Sequence, residues 1–243
     1  MSKPMSSSTK PRVEITWLGH SAFRLVSSTG ETILIDPWLE NPKAPAGLKD
    51  TIHANIILVT HGHSDHIGNT VEIAKRTNAR VIAIYEVCVY LESTGLSNVQ
   101  GMSKGGTVKV DGIDVTMVDA RHSSTIEVDG KMIPGGEAAG YVVRLENGYR
   151  IYHAGDTALF MDMKLIGQLH RPHVALVPIG DLYTMGPRDA AIACKWIKPN
   201  HIIGMHYGTF PALTGTPDEL RKYLPMPMKT RVKELHPGSP IMI

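Results

Sequence analysis

Apolar residues along this chain come in short β-branched runs that end abruptly in polar, ligand-type side chains, and the pattern repeats. Residues 56–59 run toward His61, 115–118 toward His122, 150–152 toward Asp156, 174–177 toward Asp181 and 201–205 into His206. Such apolar runs predict strands buried on both faces, with the groups at their ends converging on one rim of a sheet. Between the runs, helices are predicted over 69–77, 87–93, 162–168, 187–197 and 218–223. Pro187, after Gly186 and with Asp189 close behind, is a good first-turn residue. Thr216 with Glu219 has the spacing of a capping box. Nearer the N-terminus, 13–18, 22–26 and 32–35 read as antiparallel strands, with a turn over 27–30 between two of them. Strands in both halves, with helices that must pack outside, predict two stacked sheets flanked by helices on both faces and a site opening at one edge.

The densest chemistry lies in Thr60-His61-Gly62-His63-Ser64-Asp65-His66. Imidazole nitrogens and a carboxylate oxygen are ligands that a borderline cation such as zinc prefers. An extended H-x-H sends both histidines to one side because strand side chains alternate. Three further groups come from strand ends. His122 can complete a three-histidine site with His61 and His63, while Asp65, His66 and His206 can hold a second ion. Asp156 can bridge the two, since a carboxylate offers two oxygens with several lone pairs. Two ions sharing a water at roughly 3.5–4 Å separation would lower its pKa toward about 7, so the expected nucleophile is metal-bound hydroxide.

Composition narrows the field. With 243 residues and no shift of composition, one domain over 12–243 is expected, preceded by a disordered tail over 1–11 that has no apolar stretch to form a signal peptide or a membrane span. Net charge is +2 with the two signs interspersed, so no nucleic-acid partner is expected from overall charge, although a local basic patch stays open. Cys88 and Cys194 lie far apart in apolar surroundings and read as reduced core residues of a cytoplasmic protein.

The H-x-H-x-D-H run, followed by an isolated His, a Gly-Asp and a final His, resembles the metallo-β-lactamase superfamily from Val13 to the C-terminus. Trp17-Leu18-Gly19-His20-Ser21-Ala22-Phe23, Ile35-Asp36-Pro37, His122-Ser123-Ser124, Tyr183-Thr184-Met185-Gly186-Pro187 and His206-Tyr207-Gly208-Thr209-Phe210-Pro211 resemble, more narrowly, the UPF0173 metal-dependent hydrolases, relatives of the ascorbate-phosphate lactonases. The resemblance implies an αββα four-layer sandwich and a dinuclear centre with the ligand set reached above. Two divalent ions are expected, zinc first, with manganese, iron and nickel accepting the same ligands. The resemblance also places His20 near the metals.

Beside Asp65, the candidate catalytic groups are His20 and Tyr183, the latter a phenol able to donate to a developing oxyanion. Asp36 is a candidate for orienting a ligand histidine, and Tyr207 and Thr209 for lining the pocket. His53, His170, His173, His201 and His236 read as surface or packing residues, and His153 as facing the core. The expected function is hydrolysis of a small ester, lactone or phosphoester. The competing readings are a phosphodiesterase acting on RNA and a non-catalytic metal-binding sensor. Specificity is expected in the loops 41–50, 125–137 and 210–216, the second being the longest and the expected gate.

Overall fold

The computed structural model describes residues 13–243, so the expected tail over 1–11 lies outside the described residues. The chain opens with strands β1 (Glu14–Trp17), β2 (Phe23–Val26) and β3 (Thr32–Ile35), then helix α1 (Leu48–Thr51), β4 (Ile56–Leu58), α2 (Ser64–Ile67), α3 (Thr70–Thr77), β5 (Arg80–Ile84), α4 (Tyr85–Ser93) and β6 (Val99–Met102). It continues with β7 (Thr107–Val110), β8 (Ile113–Asp119), β9 (Thr125–Val128), β10 (Lys131–Pro134), β11 (Ala139–Arg144), β12 (Arg150–His153) and α5 (Met163–His170). The last elements are β13 (Val174–Pro178), α6 (Pro187–Ile197), β14 (His201–Met205), α7 (Pro217–Tyr223), β15 (Val232–Lys233) and β16 (Pro240–Met242).

Two seven-stranded sheets result, ordered β16-β1-β2-β3-β4-β5-β6 and β15-β14-β13-β12-β11-β8-β7. Each is mixed. In the first sheet β1 to β3 pair antiparallel while β3 to β6 run parallel. In the second, β12 to β15 run parallel beside the antiparallel β11, β8 and β7.

Side-chain alternation explains why the central strands of the second sheet, β12 to β14, are apolar once past their first residues. Ile151, Val174, Leu176 and Ile203 enter the core shared with the first sheet, to which that sheet gives Trp17, Phe23, Ile35 and Leu58. Their neighbours Tyr152, Ala175, Val177 and Ile202 point the other way, into a second core against Met163 and Ile166 of α5, Ala190, Cys194 and Ile197 of α6 and Leu220 of α7. A strand with core on both sides has no place for a polar residue until it ends. On the far side of the first sheet, α3 and α4 supply Ile73, Val87 and Leu91, completing the αββα order of layers. The Thr216 and Glu219 capping box forms at the start of α7. No helix among the described residues is long and apolar enough to cross a membrane.

Three features differ from expectation. The five ligand-bearing runs do not share a sheet: β4 belongs to the first and β8, β12, β13 and β14 to the second, so their ends meet across the sandwich. Asp181, after β13, turns out to the surface and joins no cluster with the others. The segment 125–137 is a β-hairpin and not a loop, with β9 and β10 in register around Asp129-Gly130, both at positive φ. That turn is the two-residue Asp-Gly type that matches the twist of a hairpin. Its base is pinned under the H-x-H run, where Ser124 Oγ accepts from the Gly62 amide at 3.0 Å and donates to the Gly135 carbonyl at 2.9 Å.

Candidate metal centre

Each expected ligand leaves its strand at the C-terminal end, and the seven converge. His61 and His63 follow β4, Asp65 and His66 lie on the short α2, His122 follows β8, Asp156 follows β12 and His206 follows β14. Ligand-type atoms of His61, His63 and His122 lie within 4.8 Å of one another, as do those of His61, His66 and Asp156, and those of His20, Asp65, His66 and His206. Asp156 Oδ2 is the centre of the array. It lies 2.9 Å from His206 Nε2, 3.2 Å from His66 Nε2 and 3.7 Å from His122 Nε2. On the other flank, His61 Nε2 and His63 Nδ1 face each other at 3.0 Å.

Asp36 decides which ring nitrogens point inward. Its Oδ2 accepts from His66 Nδ1 at 2.7 Å and from the Thr60 hydroxyl at 2.7 Å, and its Oδ1 accepts from the Thr60 amide at 2.8 Å. With its proton committed to Asp36, Thr60 Oγ1 can only accept from His61 Nδ1, 3.0 Å away. One buried carboxylate therefore leaves Nε2 of both His61 and His66 aimed at the cluster. The sequence marked Asp36 for this role but not Thr60, which looks like an ordinary residue at a strand end.

His20 occupies a tighter place than its expected catalytic role. It is fully buried, with Nδ1 2.9 Å from Thr209 Oγ1 and Nε2 3.0 Å from Asp65 Oδ2. Both ring nitrogens are thus engaged within the protein. Asp65 is the more open partner, its side chain 29% exposed. Tyr183 stands 60% exposed on the turn before α6, with no hydrogen-bond partner for its phenol among the described residues. That turn is tied to the site's backbone by the Met185 amide, which donates to the Thr157 carbonyl beside Asp156. Ring packing adds an aromatic side to the site that sequence reading left unassembled: Trp38 stacks on Phe210 at 6.0 Å, and both meet the edge of His20. His153 faces the core as expected, donating from Nε2 to the Ser21 carbonyl and accepting the Gly155 amide on Nδ1.

Backbone conformation at the site is unusual. His20, Asp36 and His206 all have positive φ, at 51°, 47° and 55°. Such conformations are uncommon for residues other than glycine and gather where function holds them. A hydrogen bond from the His206 amide to the His20 carbonyl at 2.9 Å locks two of the three together.

Electrostatics favour a cation at the centre. Burial pushes His61 well below its ordinary pKa, so its lone pair stays free. Burial acts to raise the Asp156 carboxyl, but His66 and His206 outweigh it and hold the group well below the usual carboxylate range. For His66, burial is likewise overcome by Asp156 and Asp36, which raise it. A proton held between His66 Nε2 and Asp156 is what a metal ion displaces. The cluster also contains a buried carboxylate oxygen, Asp156 Oδ1, that no protein group satisfies. An orphaned carboxylate oxygen in the middle of an array of imidazole nitrogens and carboxylates completes the donor set a divalent cation requires, so these residues fit a metal.

Comparison with known proteins agrees with this chemistry. A family model described as "Beta-lactamase superfamily domain" matches residues 14–206. The chain is 49% identical over 228 residues to a UPF0173 metal-dependent hydrolase of Koribacter versatilis, covering 93% of this chain and 97% of that one. It is 50% identical over 229 residues to another from Methanopyrus kandleri, covering 93% and 98%. Among solved structures, Igni18, a metallo hydrolase from the archaeon Ignicoccus hospitalis, superposes with a TM-score of 0.85 at 35% identity, covering 95% of this chain and 98% of that one. With its sandwich, its strand-end histidines and carboxylates and its relatives agreeing over nearly their whole lengths, this chain belongs to the UPF0173 metal-dependent hydrolases of the metallo-β-lactamase superfamily.

Proposed function

We propose that the enzyme is a dinuclear hydrolase of small ester, lactone or phosphoester substrates. His61, His63 and His122 would hold one ion, Asp65, His66 and His206 the other, and Asp156 would bridge them. The observation that carries this reading is Asp156: a fully engulfed carboxylate ringed by imidazoles from both sheets, with one oxygen left without a partner. The metals when bound supply the Lewis acidity that polarises the scissile bond and acidifies the attacking water.

The chain's own groups divide the remaining work. Asp36 and Thr60 hold His61 and His66 in the tautomers whose Nε2 faces the centre. His20, closed off from solvent, orients Asp65 and keeps it ionised. Burial alone would raise the Asp65 carboxyl, but the hydrogen bond from His20 and the charges of His66 and His20 hold it below its ordinary range. Asp65 is partly open to solvent and, held ionised, is the carboxylate placed to accept a hydrogen bond from the attacking water and orient it. His20 therefore acts as a positioning residue in this reading. Tyr183, with its phenol free, is available to donate to substrate, and the Trp38 and Phe210 pair gives the substrate an apolar side.

Turnover of metal-reconstituted protein on matched aryl phosphodiester and lactone substrates tests the reading, with Asp65→Ala as the blank. Hydrolysis that the substitution abolishes, together with loss of one of two bound metals, is the expected result. Full activity in that variant would overturn the mechanism. Preference for the diester would direct the search to nucleotides, and preference for the lactone to sugar acids.

A further inference from the structure

The parallel strands β12, β13 and β14 have their metal-ligand residues at one end, and a different chemistry gathers at the other. Arg150 begins β12, Arg171 follows α5, and Lys195 and Lys198 come from the end of α6. With Lys164 and Trp196 these side chains line a cleft of about 620 Å³, within the usual volume range for a small-molecule site. No carboxylate lines it, and none of the five cations makes an ion pair among the described residues. A chain with a net charge of only +2 has thus placed five positive side chains, uncompensated, around one concavity.

Helix ends explain part of this and not the rest. Lys195 lies in the last turn of α6, where a cation complements the helix dipole. Lys164 sits in the first turn of α5, where the dipole opposes it. Arg150 is fixed in place: its Nε donates to the Arg171 carbonyl at 3.1 Å and its Nη1 to the Gly148 carbonyl at 3.3 Å, neither of which offsets its charge. The cleft is also built by close backbone packing. At Gly167 of α5 a Cβ would come within 2.6 Å of Ile197 Cα, so a glycine lets α5 lie against the end of α6.

We propose that this cleft binds a small polyphosphate-bearing anion. A fixed guanidinium and four further cations match several phosphate charges at once, and the half-buried Trp196 ring offers a face on which a base can stack. The ligand would not touch the catalytic cluster, because the length of β12 separates Arg150 from His153 by roughly 10 Å. It is therefore a second site, distinct from the one that carries out hydrolysis.

Calorimetric titration of the full chain with ATP and with inorganic tripolyphosphate at low ionic strength tests this, in the wild type and in Asp65→Ala. Expected is one ligand per chain, binding weakened by added salt, and affinity retained in Asp65→Ala. Lys164→Glu/Lys195→Glu should weaken binding at least roughly tenfold while hydrolysis on the aryl substrates is unchanged. The gentler Lys164→Gln/Lys195→Gln pair should weaken it in the same direction if the charge reversals do not fold. ATP binding tighter than tripolyphosphate, with a fluorescence change lost in Trp196→Phe, would show that the base is read; equal affinities would show that the phosphates alone are. Absence of binding at about 1 mM ligand, loss of binding in Asp65→Ala, or indifference to both lysine pairs would overturn the proposal. So would affinity for short RNA that exceeds ATP and grows with oligonucleotide length.

Discussion

Asp36 is the residue on which most of the centre depends, although it is not among the proposed ligands. Its two oxygens accept three hydrogen bonds, from His66 and twice from Thr60, and Thr60 passes the orientation on to His61. Asp36→Asn keeps the shape but replaces an acceptor oxygen by a donor, which conflicts with at least one of these partners. Metal affinity is expected to fall about 10- to 100-fold, the usual loss when such an outer partner is changed. Competition with a chromogenic chelator measures it, and recovery of activity in excess metal would separate weakened binding from misfolding. The sequence made Asp36 legible because it ends an apolar run. Thr60 could have been found by asking which hydroxyl flanks the first histidine. Asp181 misled for the converse reason: a polar group at a strand end is a candidate only if the chain keeps going inward, and here a turn with Asp181 and Leu182 both at positive φ carries it out.

Elements position the ligands by fitting backbone against backbone, and glycines mark where. Gly155, immediately before Asp156, has φ +62°, and a Cβ there would collide with the Ala139 carbonyl and approach Thr60. Gly155→Ala is expected to cost about 2–3 kcal/mol, combining a strained dihedral with overpacking. The same shift should move Asp156, so metal affinity falls with stability. Denaturant unfolding in chelator checks the first effect and metal titration the second; a variant with normal unfolding but lost metal would refute the coupling. At this scale the helices were legible from their caps, α6 from Pro187 and α7 from its capping box. The hairpin β9-β10 carries its signal in Asp129-Gly130, but the Gly and Pro residues around it read as a loop. Asp111-Gly112 makes the same turn between β7 and β8.

For the whole molecule, the proposed centre would act as a clamp between the sheets. His61, His63, Asp65 and His66 come from the first, and His122, Asp156 and His206 from the second. Metal held by these residues would therefore tie the two halves together as well as supplying chemistry. Chelation is expected to lower the melting temperature in a metal-concentration-dependent way, because metal at about a thousandfold above its Kd stabilises by roughly 4 kcal/mol. Differential scanning calorimetry with and without chelator measures this, and unchanged melting after verified metal removal would refute the clamp.

By itself the sequence determined the layered fold and singled out the candidate ligands, because both are local signals: a six-residue His and Asp run, apolar stretches that stop where chemistry begins, and caps that start helices. Tertiary structure decided which strands share a sheet, which imidazole nitrogen faces inward and which polar strand ends turn away. These depend on contacts between residues far apart in the chain, such as His20 with Thr209 or Asp36 with His66, whose approach no local pattern encodes. The basic cleft is the clearest case. Its charges are scattered over some fifty positions in a nearly neutral sequence, and only the packing of α5 against α6 at the starts of three parallel strands brings them around one space.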